Sequence, residues 1–129
     1  MKISHSRTEG ASRRGADTFS GTVHLDPVLE NRPEVGVNDV IFSPGGHTFW
    51  HSHEKGQILI VKAGEGYVCT RNGEVQKLRA GDVVHAAPGE DHWHGASTST
   101  FLLHTAISLG VTTWLEEVPE AEYQRIAGS

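Results

Sequence analysis

Gly45-Gly46-His47-Thr48-Phe49-Trp50-His51-Ser52-His53-Glu54-Lys55-Gly56-Gln57 is answered some forty residues later by Pro88-Gly89-Glu90-Asp91-His92-Trp93-His94-Gly95-Ala96. In an extended chain, side chains two apart point the same way, so His51 and His53 share one face and His92 and His94 share another. Two paired-imidazole faces can close around one ion. Imidazole nitrogen suits first-row divalent metals, and histidines converging from different strands hold a metal with coordination positions left open. The pattern therefore predicts an all-β frame around a metal that is available to a ligand.

The 129 residues make one domain's worth of chain, enough to bury a core and too short for two. No apolar run approaches a membrane span, and Met1-Lys2-Ile3-Ser4-His5-Ser6-Arg7 lacks the apolar segment of a secretory signal, so a cytoplasmic location and no membrane partner are expected. Eleven Lys plus Arg against sixteen Asp plus Glu give a net charge of −5. No basic cluster exceeds Arg13-Arg14, which argues against nucleic acid as a partner. The lone Cys69 sits in an alternating strand pattern and reads as a small core residue. Nine histidines, crowded between His47 and His104, are the compositional excess that needs a reason.

Away from the histidines the chain reads as strand after strand. Residues 1–18 are polar and without apolar period, and predict a flexible N-terminal arm ahead of a single domain over residues 19–129. Short β-branched and aromatic runs follow, among them Gly21–Leu25, Asn38–Phe42, Gln57–Val61, Gly66–Thr70, Val75–Leu78 and Thr100–Ile107, separated by Gly-rich breaks such as Ala63-Gly64-Glu65-Gly66. Asn72-Gly73 predicts a two-residue hairpin turn, because both residues tolerate positive φ. Only Pro119 to Ile126 reads as helix, with Pro in its first turn and Glu120 and Glu122 near its positive end. Strands of this number and one terminal helix predict an antiparallel sandwich or small barrel.

These motifs resemble the cupin superfamily over roughly residues 19 to 115. The first cupin motif has Gly, five residues, His-x-His, three or four residues, Glu, six residues, Gly; Gly45, His51, His53, Gln57 and Gly64 stand at those spacings. The second has Gly, five residues, Pro-x-Gly, two residues, His, three residues, Asn; Gly81, Ala87, Gly89, His92 and Ala96 occupy it. The chain departs from the pattern at Gln57, where the family usually has Glu, at Ala87 for Pro, and at Ala96 for Asn. The resemblance implies a jelly roll, the double-stranded β-helix, closed by the short C-terminal helix. It implies one divalent metal per chain on His51, His53, Gln57 and His92, with zinc first and manganese, iron or nickel as alternatives. A homodimer is implied as well.

Gln57 has a chemical consequence. Three imidazoles and an amide are all neutral, so a bound ion keeps its full charge, which favours Lewis-acid work at a carbonyl over the support of high oxidation states. The chain is similar to the bacterial cupin-type hydroxynitrile lyases, in which the likely base corresponds to His94, and to the small cupin-type polyketide cyclases. The lyases carry a small apolar residue and a Gln where Asn38 and Ser108 stand here, so a different substrate is implied. Asn38, Val40, Phe49, Leu102 and Ser108, with Trp93, are expected to line the substrate pocket. His94 and His104 are the candidate catalytic residues, moving the proton while the metal handles oxyanion charge. The expected function is aldol-type ring closure of an aromatic polyketide, with cyanohydrin cleavage as the alternative and a metal or small-molecule binding protein as a third, non-enzymatic reading.

Overall fold

Period-2 burial places most of the strands. In the computed structural model, which describes residues 1–5, 12–29 and 32–128, Gly36, Val40 and Phe42 are buried along one strand and Leu102, His104 and Ala106 along its neighbour, while the alternate residues Val37, Asp39, Ile41, Leu103, Thr105 and Ile107 face outward. Among the described residues the strands are β1 (Arg13–Arg14), β2 (Phe19–Ser20), β3 (Val23–Leu29), β4 (Val35–Phe42), β5 (His47–Thr48), β6 (His51–His53), β7 (Gln57–Thr70), β8 (Val75–Arg79), β9 (Val83–Ala86), β10 (His92–Ala96), β11 (Leu102–Leu109) and β12 (Thr112–Trp114). Among the described residues one helix, α1 (Glu120–Ala127), follows the strands.

All pairings are antiparallel, and they build two facing walls. The first wall runs β1-β3-β4-β11-β7-β9, and the second joins β8, the far half of β7 and β10 to β5-β2 and β6-β12. Between them lies the core of Val23, Val40, Phe42, Leu59, Val61, Val68, Leu78, Ala96, Leu102 and Ala106. Each fully buried Leu or Phe there contributes about 1.5–3 kcal/mol. This is the expected all-β jelly roll. Among the described residues no helix is long and apolar enough to cross a membrane.

Three local readings change. Gln57–Val61 and Gly66–Thr70 are not two strands parted by a turn but one, β7, which pairs with β11 and β9 in its first half and with β10 and β8 in its second. The corner is Gly64, at φ +82°, where an added Cβ would stand 1.9 Å from the Phe101 carbonyl oxygen; only glycine permits that approach. Asn72-Gly73 does sit in the β7–β8 hairpin, but the loop is longer than two residues, with Thr70 N–H donating to the Glu74 carbonyl at 3.0 Å. Pairing also begins before Phe19, since Arg13 and Arg14 lie opposite Leu25 and His24 and satisfy backbone groups on the β3 edge. Residues 6–11 of the expected arm lie outside the described residues.

The outer face of the second wall is apolar and covered by α1. Trp50, Tyr67, Cys69 and Trp93 pack there against Val118, Tyr123 and Ile126, and the Tyr123 hydroxyl donates to the Ala96 carbonyl at 2.7 Å. Burial pushes the Cys69 thiol up to about 12, which leaves it an inert core residue.

Candidate metal centre

His51 and His53 project inward from β6 because the strand alternates, and β10 brings His92 directly opposite His51. One ligand atom from each of His51, His53 and His92 falls within 4.8 Å of the others, and all three side chains are buried. Gln57 reaches the same point from the opposite wall, its Oε1 2.9 Å from His92 Nε2 and its Nε2 donating to Ser108 Oγ at 3.0 Å.

The hydrogen bonds behind the rings fit a metal. His51 Nδ1 lies 2.9 Å from the Phe49 carbonyl, His92 Nδ1 2.9 Å from the Glu90 carbonyl, and His53 Nδ1 3.0 Å from Thr112 Oγ1. A proton on each Nδ1 leaves each Nε2 lone pair free, the arrangement that fixes tautomer and aim in histidine metal sites. His53 Nε2 is buried with no hydrogen-bond partner, which costs about 1–3 kcal/mol unless its lone pair is bound by a donor or a metal. Burial holds the pKa of His51 well below the usual imidazole range, lowers that of His92, and lowers that of His53 to about 4, helped in His51 and His53 by the neighbouring His92. All three are therefore neutral near pH 7, the form that binds metal.

Deeper in the barrel stands a second pair. His104 Nε2 lies 3.0 Å from His94 Nδ1, while His94 Nε2 is buried without a partner. Burial first and His104 second hold the pKa of His94 well below its ordinary value, and burial lowers that of His104 to about 4. The His94 ring lies 5.2 Å from that of His51 and 5.6 Å from that of His92, beside the candidate ligands. Phe42 meets both rings edge-on and floors the site.

A cavity of about 590 Å³ opens over these groups and is lined by His51, His53, Gln57, His94 and His104. Asn38, Val40 and Ser108 line it. Phe49 and Leu102 do not. Phe49 falls in the two-residue break between β5 and β6, which resets the alternation so that Thr48 and His51 face inward. Leu102 is on the inner face but one step below His104, packed into the core. Trp93 points away from His92 and His94, beneath α1. Sequence reasoning missed Thr112, which holds His53, and Trp114, whose ring lies 4.6 Å from that of His51. The run Val111-Thr112-Thr113-Trp114 has the β-branched and aromatic look of a strand, and its parity would have put both residues on one face.

With fold and site together the class is defined: residues 38–105 match the cupin domain model, and the chain belongs to the cupin family. It is 39% identical over 132 residues to (R)-mandelonitrile lyase of Granulicella tundricola, covering 97% of this chain and 100% of that one. Among solved structures, a cupin-like protein of Thermotoga maritima is 36% identical with a TM-score of 0.83 and 98% of each chain covered. A polyketide cyclase of Streptomyces resistomycificus matches at 17% identity and a TM-score of 0.68, over 96% of this chain and 91% of that one, a likeness of fold alone.

Proposed function

We propose that this chain is a metal-dependent enzyme that breaks or makes a carbon–carbon bond beside a hydroxyl or carbonyl oxygen, with cyanohydrin cleavage as its reaction and a small organic molecule as its substrate. The observation that carries the proposal is His94 Nε2, buried, unpartnered and placed beside three candidate ligand imidazoles in one cavity. His51, His53, His92 and the Gln57 amide oxygen would hold a divalent ion, zinc being the metal that needs no redox role, and as neutral ligands they would leave it its full positive charge for Lewis-acid work at a substrate oxygen.

The protein's own groups do the rest. His94 Nε2 takes the cyanohydrin hydroxyl proton as the bond to the nitrile carbon breaks and its electron pair leaves with cyanide. His94 then returns that proton to cyanide, so that the products are a carbonyl compound and hydrogen cyanide. His104 fixes the orientation of the His94 ring through Nδ1. Val40, Phe42 and Trp114 line the cavity with apolar surface that limits competing water.

Aldol-type ring closure is the second reading, because a mostly apolar cavity of about 590 Å³ has room for an extended substrate. The full-length similarity to a mandelonitrile lyase, against a fold-level likeness to a cyclase, reverses the order expected from sequence. The test is to assay metal-loaded and metal-stripped protein against aromatic cyanohydrins and β-polyketones. Metal-dependent release of cyanide supports the lyase; ring closure without it selects the cyclase; binding of either compound without turnover overturns the enzyme reading.

A further inference from the structure

The candidate ligands do not all face the same space. His51, His53 and Gln57 line the cavity of about 590 Å³ described above, whereas His92 lines a second one of about 510 Å³, and the two cavities share no residue. The second opens where β7 changes walls. There β9 pairs with the first half of β7 and β8 with the second, and among the described residues neither strand pairs further, so the two edges part and leave a cleft between them. Val68, Leu78, Ala86 and His92 are its buried lining.

The two openings differ in charge. Three carboxylates line the second, Glu74, Asp82 and Glu90, while among the described residues the first has none and carries the guanidinium of Arg32. Lys77, which also lines the second, is drawn at 3.1 Å to Glu65, a carboxylate outside it. Two of the three carboxylates are anchored to backbone: Asp82 Oδ2 accepts from the Arg79 N–H at 2.8 Å, and Glu90 Oε1 from the Ala87 N–H at 3.2 Å. Glu90 also supplies the carbonyl that His92 Nδ1 meets at 2.9 Å, so one residue fixes both a carboxylate at the cleft and the ligand ring behind it.

We propose that this second cavity is the route by which the divalent ion enters and leaves the ligand set, so that metal and substrate use different openings. The proposal rests on the metal-dependent reading given above. Fixed carboxylates around a cleft raise the local concentration of a cation and speed its encounter, and an opening that lacks them and carries a guanidinium does the reverse. Apolar walls such as Val40, Phe42 and Trp114 of the first cavity offer a hydrated ion nothing in place of its water. An ion arriving through the second cavity meets His92 before the other ligands. Carboxylates at the cleft draw the ion in without outcompeting three converging imidazoles for it.

Zinc uptake by the full chain freed of metal, followed in stopped flow with a fluorescent zinc indicator, tests the route. At an ionic strength of about 0.01 M, where charges act over about 30 Å, Glu74→Lys and Glu90→Gln together are expected to slow uptake at least about tenfold, and each alone by less. Salt at about 0.5 M should close most of that gap, because the charges are then screened within a few ångströms. Arg32→Glu, at the other opening, is expected to leave the rate within about twofold of the unaltered chain. Glu74 and Arg32 are exposed, and glutamine at position 90 keeps an acceptor for the Ala87 N–H, so circular dichroism should show all the variants folded. Zinc uptake that the Glu74 and Glu90 variants do not slow, or that Arg32→Glu speeds severalfold, overturns the route and leaves the metal reading standing. An unaltered chain that takes up no zinc overturns both.

Discussion

His104 Nε2 and His94 Nδ1 lie 3.0 Å apart, and neither ring reaches solvent. When His94 Nδ1 donates to His104 Nε2, the proton of the neutral His94 ring is held on Nδ1 and the Nε2 lone pair is the working atom. His94→Ala is expected to keep its metal and fold while turnover falls on the order of a hundredfold or more. His104→Ala is expected to lower kcat by about tenfold with KM and metal content unchanged, since it acts only through the His94 ring. Elemental analysis beside steady-state kinetics checks both.

Metal binding should be graded along the ligand set. His51→Ala and His92→Ala each remove an imidazole and are expected to abolish occupancy, whereas Gln57→Ala weakens it less because an amide oxygen is the poorer ligand. Ser108→Ala frees the Gln57 amide and is expected to weaken binding by less still. Chelator competition ranks the four, and full occupancy in either histidine variant would remove the site.

Acid should destabilise the metal-free protein in a defined window. His104 is neutral in the folded state, with a pKa of about 4 against 6.5 unfolded, so the unfolded chain binds the extra proton. Stability is whole above pH 6.5, declines as pH falls below it, and levels off below about pH 4, the loss from this residue being about 3 kcal/mol. His53 follows the same direction. Urea midpoints between pH 7.5 and 4.5 measure it, and metal should resist the first part of the fall by competing with protons.

Gly64→Ala is expected to cost more than about 3 kcal/mol, because positive φ and the Phe101 carbonyl both oppose a Cβ. Gly81→Ala, also at positive φ but facing open space, should cost about 1 kcal/mol. Thermal unfolding of the two variants separates backbone strain from steric conflict.

Much of the site was legible because two-residue spacing survives folding: His51 with His53 and His92 with His94 needed only a strand to share a face. The wall that carries Gln57 and the one that carries the histidines could be joined only through family spacing. What stayed hidden depended on breaks in alternation. Phe49 left the cavity because the chain resets between β5 and β6, and the β7 corner at Gly64 looked like a turn because glycine marks both. Thr112 acts through a hydroxyl on a ligand's far nitrogen, a role that no periodicity records.

The three imidazoles all hang from the second wall, on β6 and β10, and only the Gln57 amide comes from the first, at the start of β7. The barrel is thus latched across its mouth by its weakest donor. Loss of that one donor leaves the histidine tripod whole, so the wall that holds most of the ligand set and the wall that shapes most of the cavity can vary separately.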